Sequence, residues 1–221
     1  MSWLDDALAR GTVTPPNIGT RTLEPKPFWR VYDRQFAAKG FNPSDKGNAR
    51  FSPLVLSDGS IVPTMYVGSS VDVALMEVVL RNAPVAPQSS AGYILGIQTS
   101  TENRRVACLE PTAPLLLADL GTLGLRRLGI SRSDAIDCDK TGYPTTRLLA
   151  AWLYDHDPDI QGICWTSRQL DEGLAAVLFE PRMGTTGLIE NRKDEPFTVG
   201  PHKDALVLLA DRMGAMVNFT P

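Results

Sequence analysis

The sequence predicts an α+β domain with a modest sheet. Three observations carry this. Short runs of β-branched and aromatic residues, such as Phe28–Tyr32 and Gly162–Thr166, read as strands. Longer stretches such as Val71–Leu80 and Pro144–Asp155 place apolar residues at helical spacing. No internal repeat or low-complexity tract interrupts the mixture.

In chain order, Leu4–Arg10 reads as a short helix. Gly11–Pro27 then carries Pro15, Pro16, Pro25 and Pro27 with Gly11 and Gly19, a density that opposes regular structure. Residues 1–27 are therefore expected to be an N-terminal extension, draped over the body or loose. The body begins with the strand Phe28-Trp-Arg-Val-Tyr. Gly40–Gly47 reads as loop, and Arg50–Val55 and Val62–Val67 as short strands. Ser69 stands three residues before Asp72 and predicts a capping box for a helix over Val71–Leu80. That helix is apolar nearly all round, which predicts burial and leaves Glu77 in an apolar setting.

A loop marked by Pro84 and Pro87 follows, then strands at Gly92–Thr99 and Arg105–Leu109. Leu115–Leu128 suits either a strand or a helix. Pro144–Asp155 is a helix with proline at its start. Gly162–Ser167 and Ala175–Phe179 are strands, and Met183–Pro201 is a polar excursion. A last helix spans Asp204–Met213, with Asp204 as its N-cap and Gly214 at C′.

At 221 residues, one domain is the default. Hydrophobic content of 43% against 21% charged is that of a globular chain with a real core, not a disordered one. Lys and Arg total 22 against 25 Asp and Glu, a net charge of −3. No cationic surplus exists to neutralise phosphates, so direct nucleic-acid binding is not expected. No apolar run approaches the roughly 18–20 residues that span a bilayer, and the first residues do not resemble a secretory leader. A cytoplasmic protein without membrane contact is expected. Cys108, Cys138 and Cys164 are odd in number and scattered, which fits neither a disulfide framework nor a zinc site. They read as small buried apolar residues.

Phosphate-loop, dinucleotide-fold, zinc-protease and nucleophile-elbow motifs are all absent. Of the two histidines, His156 reads as a solvated helix end and His202 as a solvated loop residue. Nucleophilic triads and metal hydrolysis therefore have little support. What remains is a set of isolated polar residues in apolar surroundings: Arg30, Arg50, Tyr66, Glu77, Ser167 and Arg168. A buried charge is costly unless it is paired or serves a ligand. Two readings stay open on the residues alone, an internal ion pair such as Arg30–Glu77 or a ligand site. Trp29 and Trp165 read as core.

Taken in order, these residues resemble the RES family, the toxin half of bacterial RES–Xre toxin–antitoxin pairs, named for an Arg, a Glu and a Ser. The matching stretches are Phe28-Trp-Arg-Val-Tyr, Val73-Ala-Leu-Met-Glu-Val and Gly162-Ile-Cys-Trp-Thr-Ser-Arg. Two flanking blocks agree, Phe41-Asn-Pro with Gly47-Asn-Ala-Arg-Phe-Ser, and Met65-Tyr-Val-Gly-Ser-Ser, whose Tyr66 stands eleven residues before Glu77. The likeness runs from about Phe28 to Phe179; residues 1–27 and those after about Pro181 carry no block of the family.

The resemblance implies an ADP-ribosyltransferase-like α+β fold, with a small central sheet flanked by helices. It places a RES domain over 28–221, its motif-bearing core at about 28–180. It also implies breakdown of NAD+ as the activity, with NAD+ the substrate and no cofactor or metal. Arg30, Arg50, Tyr66, Glu77 and Ser167 carry over as the site. In that chemistry Glu77 stabilises positive charge on the ribose. Arg30 and Arg50 grip the pyrophosphate, and Tyr66 presents its ring to nicotinamide and its hydroxyl for orientation. Ser167 contacts NAD+ as a hydrogen-bonding positioner, and Arg168 is either a second phosphate contact or a solvated strand-end charge. The implied partner is an Xre-like helix-turn-helix antitoxin, or another immunity partner covering the site, and a homodimer is plausible. Two alternatives stand beside this: transfer of ADP-ribose to a macromolecule, and an inactive binding module in which Arg and Glu form a structural pair.

Overall fold

The computed structural model describes residues 2–83, 93–98 and 103–220. The expected loop at Pro84 and Pro87 lies outside them. In chain order the elements are α1 (Trp3–Ala9), β1 (Thr20–Leu23), β2 (Phe28–Asp33), β3 (Leu54–Val55), β4 (Ile61–Val62), β5 (Thr64–Gly68), α2 (Val71–Val78) and β6 (Tyr93–Gln98). Then follow β7 (Arg104–Pro111), β8 (Leu115–Asp119), α3 (Thr122–Leu128), α4 (Arg132–Ala135), α5 (Tyr143–His156), β9 (Gly162–Thr166) and β10 (Leu174–Phe179). β11 (Leu188–Pro196), α6 (Gly200–Arg212) and β12 (Ala215–Thr220) complete the chain.

Eight strands form one sheet in the order β1-β8-β9-β10-β5-β2-β7-β11. Every pairing in it is antiparallel except β8–β9. β6 and β12 pair in parallel, and β3 with β4 forms a small hairpin. The central strands are apolar on both faces because both faces are covered. In β10, Ala175, Val177 and Phe179 join one apolar cluster, with Leu149 and Leu153 of α5. The alternate residues Ala176 and Leu178 join another, with Phe28, Met65 and Leu109. A third cluster packs Leu75 and Met76 of α2 against Leu206 and Leu209 of α6. The α+β class is the expected one.

The sheet is wider than the sequence indicates, because both of its edges form in segments read as irregular. β1 arises within Gly11–Pro27, where the prolines fall outside the strand, and Val13 and Ile18 of that extension are buried in the core. β11 arises within Met183–Pro201. An edge strand with two bulges keeps its polar side chains in solvent and shows no apolar alternation to read.

Other boundaries shift for local reasons. Of Arg50–Val55 only Leu54–Val55 is strand, since Ala49 N donates to Ser52 O in a turn. Pro63 divides Val62–Val67 into β4 and β5. The N-cap of α2 is Ser70, whose Oγ accepts from Val73 N at 3.2 Å, while Ser69 Oγ accepts from Leu174 N at 2.9 Å and stitches β10 to the helix start. Leu115–Leu128 resolves into β8 and α3. α6 starts at Gly200 with Val199 as N-cap, so Asp204 lies inside the helix. Gly214 follows α6 with φ 72°.

Gly68 sets the height of α2. A Cβ there would stand 2.9 Å from Val73 Cγ1 and 3.0 Å from Ala74 N. The bare backbone lets the first turn of α2 settle on β5, which holds Glu77 beside Tyr66 at one cleft.

Candidate functional site

A cleft of about 330 Å³ opens between β2, β5, α2 and the chain from Phe36 to Arg50. Arg30, Arg50, Tyr66 and Glu77 all line it, although they come from four separate segments. Among the described residues no three His, Cys, Asp or Glu side chains gather as a metal-binding group.

Glu77 is held from behind. Ser167 Oγ donates to Glu77 Oε1 at 2.6 Å and Arg168 N donates to the same oxygen at 3.2 Å. Ser167 Oγ in turn accepts from the amides of Gln169 and Leu170, both at 3.1 Å. Those two bonds fix the hydroxyl rotor, so its one proton is aimed at the carboxylate. Ser167 is fully buried and is not part of the cleft wall. It stands behind Glu77, bonded to that carboxylate.

Arg30, on β2, donates from Nη1 to Ala38 O at 2.9 Å and Gly40 O at 2.8 Å, pinning the loop that follows β2. Its Nε is buried without a hydrogen-bond partner. Burial lowers its pKa to about 10, so it remains a cation at neutral pH. No ion pair joins Arg30 to Glu77: the ion pairs among the described residues are Arg21–Asp119, Arg105–Asp194 and Arg132–Asp137.

Arg50 is 8% exposed and donates from Nη1 to Ala135 O at 3.3 Å, Cys138 O at 3.5 Å and Cys138 Sγ at 3.2 Å. Cys138 is thus a half-buried hydrogen-bond acceptor, whereas Cys108 and Cys164 are buried as expected. Tyr66 also lines the cleft, and its hydroxyl accepts from Phe51 N at 2.9 Å. Burial raises the pKa of that hydroxyl, and the charges of Arg50 and Arg81 oppose the rise. Trp165 is buried and packs edge-to-face on Tyr66. Trp29 is only half-buried and lines the cleft.

Arg168 does not reach the cleft. Its Nη1 donates to Cys138 O at 2.8 Å, which ties the segment before α5 to the end of β9. His156 caps its own helix end at Trp152 O, as expected. His202 is not a solvated loop residue: it sits in α6, nearly buried, edge-on to Trp29 at 5.8 Å. Burial lowers its pKa.

Arg81 and Tyr143 also line the cleft and escaped the sequence reading. Arg81 left one signal, its position four residues after Glu77. Tyr143 left none, since an aromatic at a helix start is ordinary.

The RES domain family matches residues 27–199. The chain belongs to the RES domain family. The match opens just before β2 and takes in every strand of the cleft, while all of α6 and β12 lie beyond it. No curated protein matches the sequence. The fold of this RES protein is similar to a chain in the crystal structure of the M. tuberculosis MbcT–MbcA toxin–antitoxin complex. The TM-score is 0.60 and the identity 19%, with 92% of this chain and 98% of that chain covered. At that identity the likeness speaks for the fold.

Proposed function

We propose that this RES protein is a toxin that degrades NAD+ by cleaving the nicotinamide–ribose bond, and that a cognate antitoxin restrains it. The observation that carries the reading is the oriented Glu77 carboxylate, lining a cleft whose arginines have no carboxylate partner among the described residues. Such a site suits a substrate with an anionic pyrophosphate and a ribose that becomes cationic.

The bond between ribose C1′ and the nicotinamide nitrogen breaks, and its electron pair neutralises the pyridinium. No acid is needed, because the leaving group departs neutral. Charge builds on the ribose, and a fixed carboxylate in a partly desolvated cleft stabilises it. Glu77 Oε1 is committed to Ser167 and Arg168, which leaves Oε2 for the ribose. Water attacks C1′ and loses a proton to give ADP-ribose, or inorganic phosphate attacks to give the 1-phosphate ester. Arg30 and Arg50 supply cationic donors, and the Tyr66 ring forms a wall for nicotinamide. No helix among the described residues is long and apolar enough to cross a membrane, which suits a cytoplasmic substrate pool. The family likeness and the complex that the similar structure comes from support an antitoxin partner, of Xre type on the sequence resemblance.

The test is NAD+ turnover by the purified chain beside Glu77→Gln, with and without phosphate. Nicotinamide release that disappears in a folded Glu77→Gln variant is the expected result. Absence of turnover from a well-folded, partner-free sample overturns the reading. Label from NAD+ appearing on protein instead would favour transfer to a macromolecule.

A further inference from the structure

Arg81 follows the end of α2 and turns into the same cleft as Glu77. Its guanidinium donates to the hydroxyl of Tyr143 and lies 5.5 Å from the centre of that ring. Arg50 lies against the same ring, 5.3 Å from its centre. Tyr143 is 2% exposed and opens α5, so the ring is a fixed plate between elements.

Two guanidiniums therefore meet one aromatic ring, and no carboxylate among the described residues pairs with either. Ring contact offsets part of the cost of desolvating a cation. It does not remove the repulsion between two like charges in a half-buried setting. Tyr143 uses its hydroxyl to aim Arg81, which spends one of five N–H donors on that bond. The rest are available to a ligand. A single carboxylate would leave one of the two cations unmatched, whereas a pyrophosphate carries two charges and an array of acceptor oxygens that suits paired arginine forks.

We propose that Arg81, oriented by Tyr143, forms with Arg50 an anion grip that holds the pyrophosphate of the dinucleotide. Arg81 is then a binding residue and Tyr143 a positioning residue, and the choice of a dinucleotide as the source of that pyrophosphate rests on the NAD+ reading above.

The experiment separates the grip from the reaction. Inorganic pyrophosphate and ADP are titrated calorimetrically into the full chain and into Arg81→Gln, Arg81→Lys and Tyr143→Phe. KM and kcat for NAD+ are measured alongside. Arg81→Gln is expected to weaken pyrophosphate and ADP binding at least tenfold and to raise KM with a smaller change in kcat. Arg81→Lys is expected to recover part of the loss, and Tyr143→Phe, which keeps the ring, to fall between. Should Arg81→Gln not fold, the Lys and Phe variants decide. Unchanged anion binding in these variants, or no binding of either anion by the wild-type chain, overturns the proposal. Binding that depends on Arg81 in a chain that never consumes NAD+ would keep the grip and reject the NAD+ reading. Turnover with an unchanged KM in Arg81→Gln would do the reverse.

Discussion

Ser167 donates a 2.6 Å hydrogen bond to Glu77 Oε1 across 90 residues of sequence. The two side chains ride on β9's end and on α2, which β10 and β5 bring side by side. Since two amides already occupy the acceptor side of the hydroxyl, the serine cannot rotate away without leaving donors unmet. The carboxylate is thereby oriented before any ligand arrives, and preorganisation of this kind is what makes a charge effective against a developing cation.

Ser167→Ala should therefore lower kcat for NAD+ by about tenfold to a hundredfold with KM little changed, because Glu77 stays present but loses its direction. The two orphaned amides should also cost about 1–3 kcal/mol of stability. Steady-state kinetics and urea denaturation check the two halves. Equal kcat in a measurably destabilised variant would assign Ser167 a purely structural role.

Arg30 makes a different prediction. Its Nη1 is the donor to two carbonyls of the loop after β2, at Ala38 and Gly40. Arg30→Met keeps much of the buried stem but removes both bonds. Hydrogen exchange should then quicken at the amides of Phe36 and Gly40, whose own bonds lie within that loop. Protection unchanged at those amides would show that the loop is held by something else.

His202 gives the chain a pH dependence of defined sign. Burial disfavours the imidazolium, so its folded pKa lies below the unfolded value near 6.5. As pH falls through that value, the unfolded chain binds the proton first and stability is lost. The loss continues until pH reaches the lower folded value; above the unfolded value the full contribution is present. Replacing His202 with Phe, which preserves a ring against Trp29, should flatten the fall in melting temperature between pH 7.5 and 5.5. An identical fall in both proteins would show that other groups set it.

Much of the site was legible because its residues break the pattern around them. A glutamate in an apolar helix and an arginine in an aromatic strand stand out in any reading, and Arg30, Arg50, Tyr66 and Glu77 do line one cleft. His202 was misjudged for the opposite reason: it looked ordinary, and only the packing of α6 sets it against Trp29. On sequence Arg168 suits either a phosphate contact or a solvated strand-end charge; it is exposed, outside the cleft, and bonded to Cys138 O. The edge strands β1 and β11 were invisible because an edge needs backbone pairing but little apolar alternation.

By itself the sequence determined the α+β class, the buried central strands, the apolar helix α2 and four polar residues of the cleft, Arg30, Arg50, Tyr66 and Glu77. These follow from local periodicity and from the cost of burying charge. The tertiary structure decided which of them meet. It set Ser167 behind Glu77, kept Arg30 apart from Glu77, and brought Arg81 and Arg50 to one tyrosine. The reason is physical: strand order and side-chain direction arise from packing across the whole sheet, and contacts between distant segments leave no periodic trace along the chain.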